Sequence, residues 1–487
     1  MSDSTRHYYL CVYLRNGKPF AHQTRSDKSF PENLEVAEKE AESVDADASK
    51  MSAIFEQFIN TMMGYLEYVP LILTLMPVVS HHMVTAALQN FFEKSSVEIE
   101  KFDNRIIYTF RREQMPAIER FEQNLAAASS TSRALPRLLT VGLVTSLEYQ
   151  VNLIMREIAA RFPDAIFGKD KTVAVRDLVK FDSINDLKEF VVADELDKVQ
   201  RENFEYQIKW IIQKVGMDDF TPHYDGWQKI LELFERRNLF IHANGIINEH
   251  YIRARDKYKF VEAKQSKIGD ELHAGPKYFN QAVQVVFHFG AMLLQVVWRK
   301  ISPEDSEAAD KSISDLGYEL IARGQYKLAI KILEFTRNLR GISSELRKRM
   351  NLVNLANAYK LSGDDESALG VISSMDWTAV SQEFTVSIAA VKGEIDEVIR
   401  IMTRMGKQGR LSAQDYQEWP VFYGIRDDVK FTEAFKNVFG FDYVPSSKRQ
   451  AGLAQVLEWA RLHQQADAAG QDTPELVDPT ITTQPEA

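Results

Sequence analysis

An arginine, an amide and a histidine stand close together in Glu235-Arg236-Arg237-Asn238-Leu239-Phe240-Ile241-His242-Ala243-Asn244-Gly245. A guanidinium stabilises charge building on a phosphate under attack, and an imidazole moves protons near neutral pH. Trp227 to His242 reads as one helix, and Asn244-Gly245 is a strong helix stop. That places His242 at a helix C-terminus, whose partial negative charge favours imidazolium. Asn238 and His242 are four residues apart and share a face. Arg237 and His242 are five apart and diverge by roughly 140° at 3.6 residues per turn. One helix does not clamp a phosphate neatly between them. Two copies facing each other across a twofold axis would build one cleft, each giving a histidine and an arginine.

RNA carries its own nucleophile, the 2′-hydroxyl. Cleavage then needs a base, charge stabilisation at phosphorus, and an acid for the leaving 5′-oxygen, and none of these requires a metal. His242 is the candidate proton carrier. Arg237 is the candidate phosphate ligand, through a bidentate contact. Asn238 orients His242 or binds phosphate. Arg236 ranks second as phosphate ligand, and Glu148, on a helix read over Leu135–Ala160, is a candidate to orient Arg237.

Arg-x4-His alone is common by chance. The fuller context is more specific: an apolar helix ahead, Arg237-Asn238, three apolar residues, His242-x-Asn244-Gly245, then Ile246-Ile247-Asn248 and Tyr251. In this stretch the chain resembles the HEPN ribonucleases. The resemblance spans Leu135–Ile301. It implies a bundle of four or five helices, a composite site in a homodimer, and products with a 2′,3′-cyclic phosphate and a 5′-hydroxyl. Two other readings stay open. The arginines are surface charges and His242 a helix-end histidine, or the fold is an inactive HEPN domain that keeps these residues for assembly.

Downstream, Arg253, Arg255, Lys257, Lys259, Lys264 and Lys267 outnumber Asp256 and Glu262, with Tyr251, Tyr258 and Phe260 interleaved. Cations for phosphates beside aromatics for base stacking suit single-stranded RNA. The alternative is a solvated loop between helices.

The elements that must hold these residues are mostly helical. The expected fold is all-α: a HEPN-like bundle followed by degenerate tetratricopeptide-like hairpins, with a small N-terminal β-hairpin. His7 to Leu14 is rich in β-formers and Arg15-Asn16-Gly17-Lys18 gives the turn. Glu32 to Asp47 holds seven acidic residues against Lys39 alone and reads as a solvated linker. From Ser52 onward the period is helical, including Ile106 to Leu125. Leu138, Leu139, Val144, Leu147, Val151, Leu153, Ile154 and Ile158 form an apolar face that Pro163 ends. Ser183–Val215, read as one or two helices, Trp227–His242 and Tyr278–Ile301 complete the bundle.

Past Glu304 a pattern repeats. Gly324, Gly363 and Gly393 each follow an apolar helix and precede a second one, with Ala329, Ala368 or Val398 five positions on. Glycine permits the tight turn and a small residue lets helices approach. This resembles tetratricopeptide repeats, although intervals of 39 and 30 residues are irregular. The alternative is an unrelated helical domain with coincident turns. Trp419 to Phe441 reads as a capping helix pair, and the polar tail from Gln464 as disordered. The expected domains are 1–50, 51–130, 131–305, 311–445 and 446–487.

The whole chain of 487 residues has net charge −10 and 45% hydrophobic content. That argues against non-specific coating of nucleic acid over the full surface but not against a local basic site. Cys11 is the single cysteine, so neither a disulfide framework nor a zinc site within one chain is expected. A reducing cytoplasm fits, and no signal-peptide pattern opens the chain. Phe58 to Val79 is apolar, but Glu67, Pro70 and Pro77 interrupt it, so a buried or interfacial helix pair is expected and no membrane. His81-His82 reads as a surface pair. No phosphate-binding glycine loop, dinucleotide fingerprint or His-Glu-x-x-His pair occurs. The expectation is a cytoplasmic, homodimeric, metal- and cofactor-independent endoribonuclease acting on RNA. It resembles toxin or antiphage effectors, with a regulator or trigger at the repeats. The rival is a non-catalytic helical scaffold that binds protein partners.

Overall fold

The computed structural model describes residues 7–15, 18–26, 49–96, 98–102, 105–166, 181, 183–261, 263–339 and 344–444, most of them helical. Residues 1–56 and 57–487 form two compact units. In the first, β1 (His7–Arg15) and β2 (Lys18–Ser26) pair antiparallel, from His7↔Ser26 to Arg15↔Lys18. That register leaves a two-residue connection, as a tight Asn-Gly hairpin requires. The turn residues themselves, the acidic stretch 32–47 and the tail 446–487 lie outside the described residues.

The second unit takes most of α1 (Lys50–Ser95). The expected helix pair over Phe58–Val79 is a correction: α1 runs on through Pro70 and Pro77. Thr74 turns its hydroxyl back onto the Pro70 carbonyl at 2.8 Å, a back-bond that lets a helix bend rather than break. The side chains of His81 and His82 lie outside the description. Ile106–Leu125 is a second correction. β3 (Glu98–Phe102) and β4 (Arg105–Thr109) form a hairpin there. Ile106-Ile107-Tyr108-Thr109 is β-branched and aromatic, which favours a pleated strand over a helix.

α2 (Met115–Arg161) then runs for 47 residues through Pro136, with Thr140 back-bonded to the Pro136 carbonyl at 2.8 Å. Its buried face is Leu143, Val144, Leu147, Val151, Ile154 and Ile158, whereas Leu138, assigned to that face from spacing, is exposed. A short α3 (Pro163–Ile166) follows. Ser183–Val215 divides into α4 (Ile184–Arg201) and α5 (Phe204–Val215) because Ser183 and Asn203 each cap a new helix, accepting from the Asp186 and Tyr206 amides. α6 (Trp227–His242), α7 (Glu249–Tyr258) and α8 (Pro276–Ile301) complete the bundle. α8 packs on both α2 and α6. Gly290 sits where a Cβ would lie 2.1 Å from the Phe58 ring, so α1 approaches α8 only over glycine.

Three helical hairpins follow: α9 (Ser306–Ala322) with α10 (Tyr326–Asn338), α11 (Glu345–Leu361) with α12 (Asp365–Ser373), and α13 (Gln382–Lys392) with α14 (Ile395–Met405). Gly324, Gly363 and Gly393 turn them at φ of 74, 88 and 75°, a region costly for other residues. Ala329, Ala368 and Val398 are buried between the helices. After α15 (Ala413–Glu418), the expected helix pair at Trp419–Phe441 is a 3-10 turn, Pro420–Phe422, and one helix, α16 (Val429–Phe439).

Among the described residues three helical stretches are long and apolar enough to cross a membrane: Lys50–Leu75, Ala134–Arg161 and Pro276–Ile301. The first overlaps the Phe58–Val79 run without coinciding with it. The third is the most enclosed, with 72% of its apolar window buried within the protein.

Candidate functional site

α6 ends as its sequence requires. The Ala243 and Gly245 amides both donate to the Leu239 carbonyl, at 2.9 and 3.0 Å. Asn244 and Gly245 take φ of 49 and 83°, the left-handed turn that closes a helix. Gly245 is pressed on the backbone, since a Cβ there would lie 3.1 Å from the Leu272 carbonyl oxygen. Arg137 of α2 donates to Asn244 Oδ1 and pairs with Glu271. The C-terminal turn of α6 is thereby tied to α2 and to the segment around Ile246↔Glu271.

The two arginines point into different surroundings. Arg236 is buried, with Nε 2.7 Å from Glu232 Oε1, Nη1 donating to the His273 carbonyl at 2.7 Å, and its guanidinium 3.9 Å over the Tyr278 ring. Tyr251 and Tyr278 both donate to Glu232 at 2.7 Å. Burial pushes both phenols above their ordinary pKa, so they stay protonated as donors. Arg236 is thus a structural cation inside a satisfied network. That corrects its ranking as the second phosphate ligand.

Arg237 reaches the surface. Its Nη2 donates to Glu148 Oε1 on α2, and its guanidinium lies 5.7 Å from the Phe234 ring centre. Its Nε is enclosed without a hydrogen-bond partner. Burial raises the Glu148 carboxyl above its usual range, against the opposing pull of the Arg237 charge and hydrogen bond. The structure therefore brings Glu148 and Arg237 together.

Arg237 and Asn238 line an open cleft of about 780 Å³ between the α4–α5 junction, α6 and α7. Arg201, Arg237, Arg253 and Lys257 border it, and so do Glu148, Glu202, Glu205 and Glu235. Formal charge is therefore balanced, not strongly basic. His242 is exposed and lines a neighbouring cavity of about 300 Å³. Within one chain Arg237 and His242 face different cavities. Asn238, Glu235 and His250 border both.

The basic stretch divides as well. Arg253, Arg255 and Lys257 lie on α7, not in a loop. Arg253 and Lys257 line the cleft. Lys257 Nζ sits 2.6 Å from the Tyr258 hydroxyl, which donates to Glu205 at 2.8 Å. Arg255 is tied down by the Ser266 carbonyl at 2.6 Å and by Asp256, and does not line the cleft. Lys259 caps α7 at φ 57° and borders a third cavity with Trp227 and Tyr224. Tyr251 and Phe260, expected as stacking platforms, are buried in the core. Of the three aromatics, only Tyr258 reaches the cleft.

Sequence reading missed Glu235 and His250. His250 Nε2 lies 3.2 Å from Glu235 Oε2. The available signal was a second histidine directly after Asn248-Glu249, a helix-start pattern. Among the described residues no group of three or more histidine, cysteine and acidic side chains is gathered as a metal cage would be. No family model matches the sequence, and no curated protein or solved structure matches it significantly.

Proposed function

We propose that this chain is a metal-independent endoribonuclease of HEPN type. It cleaves RNA by attack of the 2′-hydroxyl, works as a cytoplasmic homodimer, and serves as a toxin or antiphage effector. Tetratricopeptide-like hairpins receive its trigger or regulator. One observation carries the reading: α6 presents Arg237 and His242 to adjoining cavities, with Asn238 bordering both. A guanidinium for the phosphate and an imidazole for the proton are the groups such a reaction needs. Their separation within one chain favours a site completed by a second copy.

The test is cleavage of a single-stranded RNA by full-length protein in EDTA, beside R237A and H242A. The expected result is cleavage by the wild type with 2′,3′-cyclic phosphate ends and a loss of about 10²-fold or more in each variant. Equal activity in all three would expose a contaminating nuclease and sink the reading. Where a trigger is needed, toxicity on induced expression, lost in both variants, replaces the purified assay.

A second reading has its own support. Four carboxylates line the cleft and Glu148 already pairs with Arg237, as suits a non-catalytic scaffold that binds protein partners. Wild-type inactivity in both assays favours it.

A further inference from the structure

A transesterification at RNA moves two protons, one off the 2′-hydroxyl and one onto the 5′-oxygen. Arg237 carries neither, and His242 carries one. The residues common to the Arg237 cleft and the His242 cavity are Glu235, Asn238 and His250. Asn238 does not titrate, and Glu235 is largely enclosed while His250 is 69% exposed.

Glu235 Oε2 is buried and makes no hydrogen bond. His250 Nε2 lies 3.2 Å from this oxygen. A carboxylate behind an imidazole fixes which ring nitrogen carries the proton. With Nε2 on the Glu235 side, Nδ1 is the ring nitrogen left to accept a proton. His250 is held at this place by the start of α7, where Asn248 caps the helix by accepting from the Tyr251 amide at 3.0 Å.

We propose that His250 is the second catalytic imidazole of the site, with Glu235 as its positioning residue. This rests on the ribonuclease reading above. The 2′-hydroxyl proton passes to His250 Nδ1 as the O2′–P bond forms and the P–O5′ bond breaks. His242 gives its proton to O5′, and Arg237 offsets charge on the non-bridging oxygens. Proton exchange with water then resets both rings, and nothing is oxidised or reduced. The imidazole sharing a cleft with Arg237 is His250 of the same protomer, so base and phosphate ligand come from one chain.

Single-turnover cleavage of a short single-stranded RNA in EDTA tests this, with full-length wild type, H250A, H250Q, E235Q, H242A and the E235Q/H250A double variant. Melting curves check that each variant folds. We expect H250A and H250Q to fall about 10²-fold or more and to lose one limb of a bell-shaped pH profile. H242A loses the other limb. E235Q falls about 10-fold, and the double variant is no slower than H250A, because a positioning residue has nothing left to position. Folded H250A and H250Q variants cleaving within twofold of wild type, while H242A is silent, would overturn the His250 assignment and leave the ribonuclease reading intact. A wild type without metal-independent cleavage in vitro or toxicity in cells removes both.

Discussion

Glu148 on α2 accepts a hydrogen bond from Arg237 on α6, and so occupies the guanidinium that faces the cleft. An anionic ligand reaching this guanidinium must displace the carboxylate or share the fork. Because burial already raises the Glu148 pKa, its charged form is held at a cost that only Arg237 offsets. We therefore expect E148Q to bind a fluorescent single-stranded RNA several-fold more tightly at low salt, by anisotropy. Weaker binding would mean that Glu148 prepares Arg237 rather than competing for it.

Arg236 and Arg237 are neighbours in sequence with opposite consequences on removal. Arg236→Met leaves Glu232 charged and buried, and should cost about 3–5 kcal/mol in urea melts. Arg237→Ala breaks a partly exposed pair and should cost no more than about 1 kcal/mol. Equal costs would contradict the division of the two arginines into structural and site-facing roles.

Gly290→Ala drives a methyl group into the Phe58 ring. An overpacked core contact of this kind costs about 1–3 kcal/mol. Adding Phe58→Leu should restore part of the lost melting temperature. The absence of rescue would show that the strain lies elsewhere.

His288 gives a pH prediction. Its Nδ1 lies 3.1 Å from the Tyr224 hydroxyl and its Nε2 is enclosed. Burial, aided by the Lys331 charge, lowers its pKa from 6.5 to about 4. Between those values the unfolded chain takes up a proton that the folded chain refuses. The stabilising contribution is full above about pH 6.5 and is lost progressively as pH falls toward 4. It amounts to no more than about 3 kcal/mol. Chemical denaturation from pH 7 to 4.5 should show this slope, and H288Q should flatten it.

Where chain physics is local, the sequence was a good guide. The limits of α6 follow from Asn244-Gly245, and the three hairpin turns follow from glycines whose φ is positive. Ser183 and Asn203 dictate the break between α4 and α5. The rest depends on partners far along the chain. Pro136 argues for a helix end, yet α2 continues, and nothing in the local pattern foretells that. The β3–β4 hairpin hides in an apolar run that fits either period. Burial of Arg236 depends on Tyr251 and Tyr278, which lie 15 and 42 residues downstream. The approach of His250 to Glu235 depends on α7 folding back over α6, a tertiary event that spacing along one helix does not encode.

α8 holds Tyr278 at one end, where that phenol anchors Glu232, and Arg299 at the other, where it grips Asp310 of α9 at 2.6 Å. Twenty-six residues make a rod of about 39 Å. The same helix therefore braces the buried network around Arg236 and the first of the C-terminal hairpins. A substitution that loosens either end of this helix should thus be felt at the other as lost packing, not as a local change.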